Sequence, residues 1–136
     1  MATFRIKRFN PEKQPEPYFE EFELDIPDGA TLLDCMNEIK WTLDGSLSYR
    51  MSCRSAICGS CAVKANGHAL LACQRQGEHL LDNDDTITLE PLGNMKPIKD
   101  LAVDFTPFWD KINKVKPYLE PKDEPPAKER HQSPEE

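Results

Sequence analysis

The stretch Arg50-Met-Ser-Cys53-Arg-Ser-Ala-Ile-Cys58-Gly-Ser-Cys61, continued by Leu71-Ala-Cys73-Gln74, decides how the rest of this 136-residue sequence is read. It holds four of the five cysteines, spaced C-x4-C-x2-C, with the fourth after eleven more residues. Residues 45–77 contain no Asp or Glu, while Arg50, Arg54, Lys64 and Arg75 give this window a charge of +4. The whole chain carries −7, so the remainder carries −11. Thiols gathered in an acid-free, basic window point to a group that is itself anionic.

A C-x4-C-x2-C run with a separate fourth cysteine is the plant-type ligand pattern of a [2Fe–2S] cluster. Three thiolates on one loop, met by a fourth from a neighbouring element, can supply two sulfurs to each iron. Ser52, Ser55, Ala56, Gly59 and Ser60 are small enough to let backbone N–H groups approach those sulfurs. Four thiolates, two ferric ions and two sulfides sum to about −2, and to −3 once reduced, which explains the local cations. Structural zinc is the alternative for four cysteines, but it usually takes paired C-x2-C knuckles and only Cys58 and Cys61 have that spacing. Four unligated buried thiols are the third reading. His68 and His79 have the chemistry to replace thiolates, as in Rieske centres, yet four cysteines complete a set without them; they read as turn residues. Cys35, alone between Asp34 and Met36, reads as a small buried hydrophobe.

Working outward, residues 3–9 and 18–26 alternate apolar and polar as two strands joined by a loop at 11–17. Pro27, Asp28 and Gly29 turn the chain, and Thr31 with Asp34 resembles a capping arrangement that opens a helix ending near Asp44 and Gly45. Leu32, Met36, Ile39 and Leu43 form its apolar stripe. Residues 48–61 read as an ordered loop. Asn66 and Gly67 predict a two-residue type I′ turn between short strands at 61–65 and 68–72. Asn83 and Asp84 mark another turn, and residues 86–90 a further strand stopped by Pro91. Phe105, Phe108, Trp109 and Ile112 follow the i, i+3, i+4, i+7 spacing of one helix face, which either folds back on its own domain or meets a partner. Residues 117–136 hold five prolines and almost no aliphatic side chains, the composition of a flexible segment.

Length and charge bound the function classes. The chain suffices for one small core, and no apolar run approaches the roughly 20 residues of a membrane-spanning helix. With a pI near 5.0, a general affinity for nucleic acid is not expected. The first ten residues read as a strand and not as a secretory or transit signal, and an odd, tightly clustered set of cysteines favours a reducing compartment. Neither a phosphate-binding glycine loop nor a nucleophile in a recognisable setting is present, so an electron carrier without a substrate pocket is expected.

Residues 50–61 with 71–74 closely resemble the cluster loop of the iron–sulfur subunit of succinate dehydrogenase and fumarate reductase, and the resemblance runs over about residues 3 to 120. The short gap before Cys73 separates it from ordinary plant-type ferredoxins. Pro97-Ile-Lys-Asp-Leu101 with Phe108 and Tyr118 looks like the segment that leads into the family's second domain. The resemblance implies an α+β fold: a β-grasp, plant-type ferredoxin-like domain at 1–96, a helical partner-docking segment at 97–119, and a flexible, charged, Pro-rich tail at 120–136. It implies Cys53, Cys58, Cys61 and Cys73 as ligands of the [2Fe–2S] cluster. The implied partners are an FAD-containing flavoprotein subunit, a chain or domain carrying [4Fe–4S] and [3Fe–4S] clusters, and, indirectly, membrane anchor subunits. The family's second, cysteine-rich domain is absent from this sequence. The complex would sit peripherally at a membrane facing the bacterial cytoplasm or the mitochondrial matrix, with this chain soluble and without catalysis of its own. A free-standing ferredoxin shuttle and a zinc-stabilised binding module are the alternatives.

Overall fold

The computed structural model describes every residue except 123, 130 and 136. Two compact units divide the chain, Met1–Asp104 and Phe105–Glu136.

In the first unit, strand β1 (Ala2–Asn10) turns back into β2 (Gln14–Leu24). The second strand therefore begins inside the stretch expected to be a loop and ends two residues earlier than the alternation suggested. Pro15 and Pro17 do not interrupt it, because β2 is an outer strand whose free side needs no N–H. Helix α1 (Leu32–Glu38) opens with a full capping box: Asp34 N–H donates to Thr31 Oγ1 (3.2 Å) and Thr31 N–H donates to Asp34 Oδ2 (3.0 Å). A π-helical turn over Ile39–Leu43 follows, closed by Asp44 N–H donating to Ile39 O. This wider turn corrects the expected stripe: Leu32, Met36 and Ile39 are buried, whereas Leu43 is rotated out and half exposed.

Strands β3 (Ala62–Ala65) and β4 (His68–Leu71) flank Asn66 and Gly67, both at positive φ (46° and 84°) as a type I′ turn requires. Asn66 does more than turn. Its Oδ1 accepts from Thr88 N–H (2.7 Å) and its Nδ2 donates to Leu80 O (2.6 Å), tying the hairpin to its neighbours. Strand β5 (Thr86–Glu90) lies parallel to β1 and antiparallel to β3, giving one five-stranded sheet in the order β2-β1-β5-β3-β4. Phe4 and Ile6 of β1, Ile87 and Leu89 of β5, Val63 and Ala65 of β3, and Leu32, Leu33 and Met36 of α1 make a single core. Burying each large aliphatic side chain contributes about 1.5–3 kcal/mol, so sheet and helix hold each other. The result is the expected α+β, ferredoxin-like architecture.

A two-stranded hairpin, β6 (Pro97–Lys99) and β7 (Ala102–Val103), completes the first unit. The stretch expected to be helical from residue 97 is thus extended first, and the helix, α2, spans only Thr106–Val115. In the second unit, taken by itself, Phe108 stacks edge-on against both Phe105 and Trp109. Lys116 at positive φ ends the helix and pairs with Glu120. The described residues of 120–135 are exposed and form no helix or strand; the tail expected over 120–136 also includes 123, 130 and 136, outside the described residues.

Candidate metal centre

The loop that carries three of the four cysteines has two unlike parts. Its base, residues 44–50, is fastened to the frame by buried charge. Arg8 follows Phe4 and Ile6 at two-residue intervals and so points inward from β1, where its side chain is only 6% exposed. Its Nε donates to Asp100 Oδ1 (3.1 Å), Nη1 to Glu20 and Asp44, and Nη2 to Ser46 Oγ (2.9 Å). Burial alone would favour the neutral form, but Asp44 and Asp100 outweigh it and raise the guanidinium pKa. For Asp44, burial likewise opposes the charge; the Ser46 hydroxyl and N–H, then Arg8, overcome it and hold the carboxyl at about 2.

Asp100, 2% exposed, closes this network. Its Oδ1 also accepts from Phe9 N–H (3.0 Å) and its Oδ2 from Ser48 N–H (2.9 Å), while its own N–H donates to Phe9 O (2.8 Å). Leu101 N–H donates to Ser48 O, and Arg50 Nη2 to Val103 O (3.2 Å). The β6–β7 hairpin thereby clamps the loop three to five residues before the first cysteine. From the other side Tyr49 OH donates to Oδ1 of buried Asn37 on α1 (2.7 Å), and burial raises its pKa to about 12.

The tip, residues 51–60, is held differently. Arg54, Ala56 and Gly59 all have positive φ (55°, 57° and 74°), a cost accepted within six residues. Alternating left-handed residues turn successive N–H groups toward one side, the geometry of an anion-binding nest. Here the donors meet sulfur. Cys53 Sγ accepts from Ser55 N–H (3.3 Å) and Cys58 N–H (3.4 Å), and Cys58 Sγ from Ser60 N–H (3.5 Å). Cys73 Sγ accepts from Ala56 N–H (3.3 Å), and Cys61 Sγ from Cys73 N–H (3.4 Å). The hydroxyl of Ser60 lies 3.3 Å from Cys58 Sγ.

The cysteines are linked in two pairs, because Cys58 N–H donates to Cys53 Sγ and Cys73 N–H to Cys61 Sγ. The first pair is exposed and the second lies at the edge of the core. Hydrogen bonds from Ser60 first, and then from its neighbours, bring the Cys58 thiol down to about 6, whereas burial pushes Cys61 up. Among the described residues, no three His, Cys, Asp or Glu side chains converge on one point that a single ion would fill. Two pairs of thiols under five backbone N–H groups and one hydroxyl fit a two-iron group, which takes two sulfurs at each end and gains from donors to its anionic sulfurs.

The structure links Cys53 to Cys58 and Cys61 to Cys73 through backbone N–H groups, with Ala56 N–H of the loop tip donating to Cys73 Sγ, and leaves the other candidates apart. Cys35 is buried in α1, where a Cβ at Gly77 would lie 3.0 Å from its Sγ, and burial and then Asp34 raise its thiol to about 11. His79 pairs with Glu78, and His68 is exposed at the start of β4. Sequence reasoning missed the clamp of Arg8 and Asp100. The available signal was the position of Arg8, in phase with Phe4 and Ile6 on the inward face.

Comparison with known proteins agrees with this geometry. The succinate dehydrogenase iron–sulfur subunit of Coxiella burnetii is 41% identical over 98% of this chain and 56% of its own length. The 8-methylmenaquinol:fumarate reductase iron–sulfur subunit of Wolinella succinogenes is 43% identical over 93% of this chain and 40% of its own. The chain therefore spans about half the length of the curated relatives it matches. A solved chain of the Mycobacterium smegmatis Sdh1 complex in the apo form superposes with a TM-score of 0.78 at 25% identity, covering 96% of this chain and 53% of that one. No helix among the described residues is long and apolar enough to cross a membrane. The family described as the 2Fe-2S iron-sulfur cluster binding domain matches residues 3–110, and this chain belongs to it.

Proposed function

We propose that this chain is the cluster-bearing electron-transfer part of the iron–sulfur subunit of a succinate:quinone oxidoreductase, with Cys53, Cys58, Cys61 and Cys73 as the four ligands of its [2Fe–2S] cluster. The observation that carries this reading is the convergence of five backbone N–H donors on those four sulfurs. When bound, the cluster supplies a site that takes up and gives back one electron. The chain's own residues do the rest. Exposed Cys53 and Cys58 would hold the cluster on its surface side, where a redox partner has access, and Cys61 and Cys73 would hold it on the side of the core. The N–H groups of residues 55, 56, 58, 60 and 73 face the added negative charge, and the cations of residues 45–77 lie in the same stretch of chain.

The partners of this reading are an FAD-containing subunit that delivers electrons, a chain or domain with [4Fe–4S] and [3Fe–4S] clusters that carries them toward quinone, and membrane anchor subunits reached indirectly. The complex lies peripherally on a membrane, facing the bacterial cytoplasm or the mitochondrial matrix. The test has two parts. Cys53→Ser or Cys73→Ser is expected to lose the reddish-brown chromophore while Cys35→Ser keeps it; loss of colour in Cys35→Ser alone overturns the ligand set. Gentle isolation from native membranes is expected to bring a flavoprotein and a second cluster-bearing chain with this one. Recovery as a lone iron protein would instead identify a free ferredoxin shuttle.

A further inference from the structure

Five of the six hydrogen bonds around the sulfurs are donated by backbone N–H groups, which nearly any sequence on this loop would supply. The sixth bond involves a side chain. Ser60 Oγ stands 3.3 Å from Cys58 Sγ, within hydrogen-bond reach for sulfur, and Cys58 is the most exposed kind of ligand, a thiol at the protein surface. Ser60 itself is half-buried, and the partner of its hydroxyl, Cys58 Sγ, lies two residues back on the same loop. Toward a thiol, Ser60 Oγ accepts from S–H; toward a metal-bound thiolate, which carries no proton, the hydroxyl donates.

We propose that the Ser60 hydroxyl raises the reduction potential of the centre by donating to Cys58 Sγ, an inference that rests on the ligand set assigned above. The step concerned is the transfer of one electron from a reduced flavin, or from dithionite in the laboratory, to the oxidised cluster. Total cluster charge goes from about −2 to about −3, with no proton moved and no bond made or broken. Part of the added charge falls on the ligand sulfurs, so a donor to one of them stabilises the reduced form more than the oxidised form. Water reaching Cys58 replaces some of this stabilisation when the hydroxyl is removed, but a mobile water is not tethered to the loop as Ser60 is.

Ser60→Ala separates the hydroxyl from the backbone, because its N–H to Cys58 Sγ remains. The experiment is an EPR-monitored potentiometric titration of the full chain, loaded with iron and sulfide, for wild type, Ser60→Ala and Ser60→Thr. At a fixed solution potential near the wild-type midpoint, Ser60→Ala is expected to shift the ratio of reduced to oxidised cluster about tenfold toward oxidised, ~59 mV for one electron. Ser60→Thr, which keeps the hydroxyl, is expected to return most of that shift. An unchanged midpoint in a Ser60→Ala protein that keeps its full EPR signal overturns the proposal and leaves the ligand set standing. A wild-type chain that takes up no two-iron cluster overturns the ligand set itself. Should Ser60→Ala fail to load, pulsed EPR of reduced wild type transferred briefly into deuterium oxide decides. A strongly coupled hydrogen that exchanges at once, ahead of the slower amides, supports the hydroxyl donor, and its absence overturns it.

Discussion

The two parts of the loop between α1 and β3 are fastened by opposite means. At the base, residues 44–50 are tied to β1 and the hairpin by Arg8 and Asp100, and to α1 by the bond from Tyr49 to Asn37. At the tip, residues 51–60 direct their N–H groups at sulfur and adopt left-handed backbone at three positions. The base is thus made by the fold, while the tip is shaped for what the sulfurs carry. A frame that fixes the loop just before its first cysteine leaves the tip free to specialise without endangering the core.

The harshest way to break this division is Asp100→Ala. It removes the buried carboxylate that accepts from Arg8 Nε, Phe9 N–H and Ser48 N–H and leaves those donors without it, although Arg8 keeps Glu20 and Asp44, for an expected loss of about 3–5 kcal/mol in urea unfolding. A loss below about 1 kcal/mol would mean that the base is not fixed by this clamp. Tyr49→Phe removes the donor to buried Asn37 and is expected to cost about 1–3 kcal/mol. The chromophore should survive, since no sulfur contact is touched; its loss would show that base and tip are not separable.

Iron removal by a chelator sharpens the same contrast. Hydrogen exchange at residues 55, 56 and 58 is expected to accelerate at least about tenfold, some 1.4 kcal/mol of local stability, while Phe9 and Ser48 amides stay protected. Equal acceleration at both would merge the two regions into one cooperative unit. The smallest effect is expected in acid. The Asp44 carboxyl is held at about 2, below its ordinary 3.8, so its stabilising contribution is complete above pH 4 and fades as the pH falls toward 2. Asp44→Asn should therefore be less stable than wild type at pH 6 and lose less on going to pH 2. Parallel curves for the two proteins would remove Asp44 from the clamp.

Much of the centre was legible because cysteine spacing, the Asn66-Gly67 turn and the Thr31–Asp34 cap are local patterns with local causes. What escaped depends on distant partners. Arg8 carries a charge that by itself argues for solvent, and its burial depends on Glu20, Asp44 and Asp100, the last 92 residues away. Pro15 and Pro17 discourage a strand until the strand is known to lie at an edge. Leu43 fits a helical stripe until the π-turn rotates it outward. Residues 97–103 are extended because Asp100 and Leu101 bond Phe9 and Ser48, which no short-range pattern announces. Ser60 was read as merely small, since a sequence does not show where a hydroxyl points.

The parallel pairing of β1 with β5 sets a timetable for the molecule's birth. Thr3 lies beside Thr86, so the central contact of the sheet joins the two ends of the domain and must close a loop of some eighty residues. On a ribosome, β5 is made only after Cys53, Cys58, Cys61 and Cys73 have all been synthesised. Every newly made chain therefore spends an interval with its complete set of thiols synthesised and its core still open.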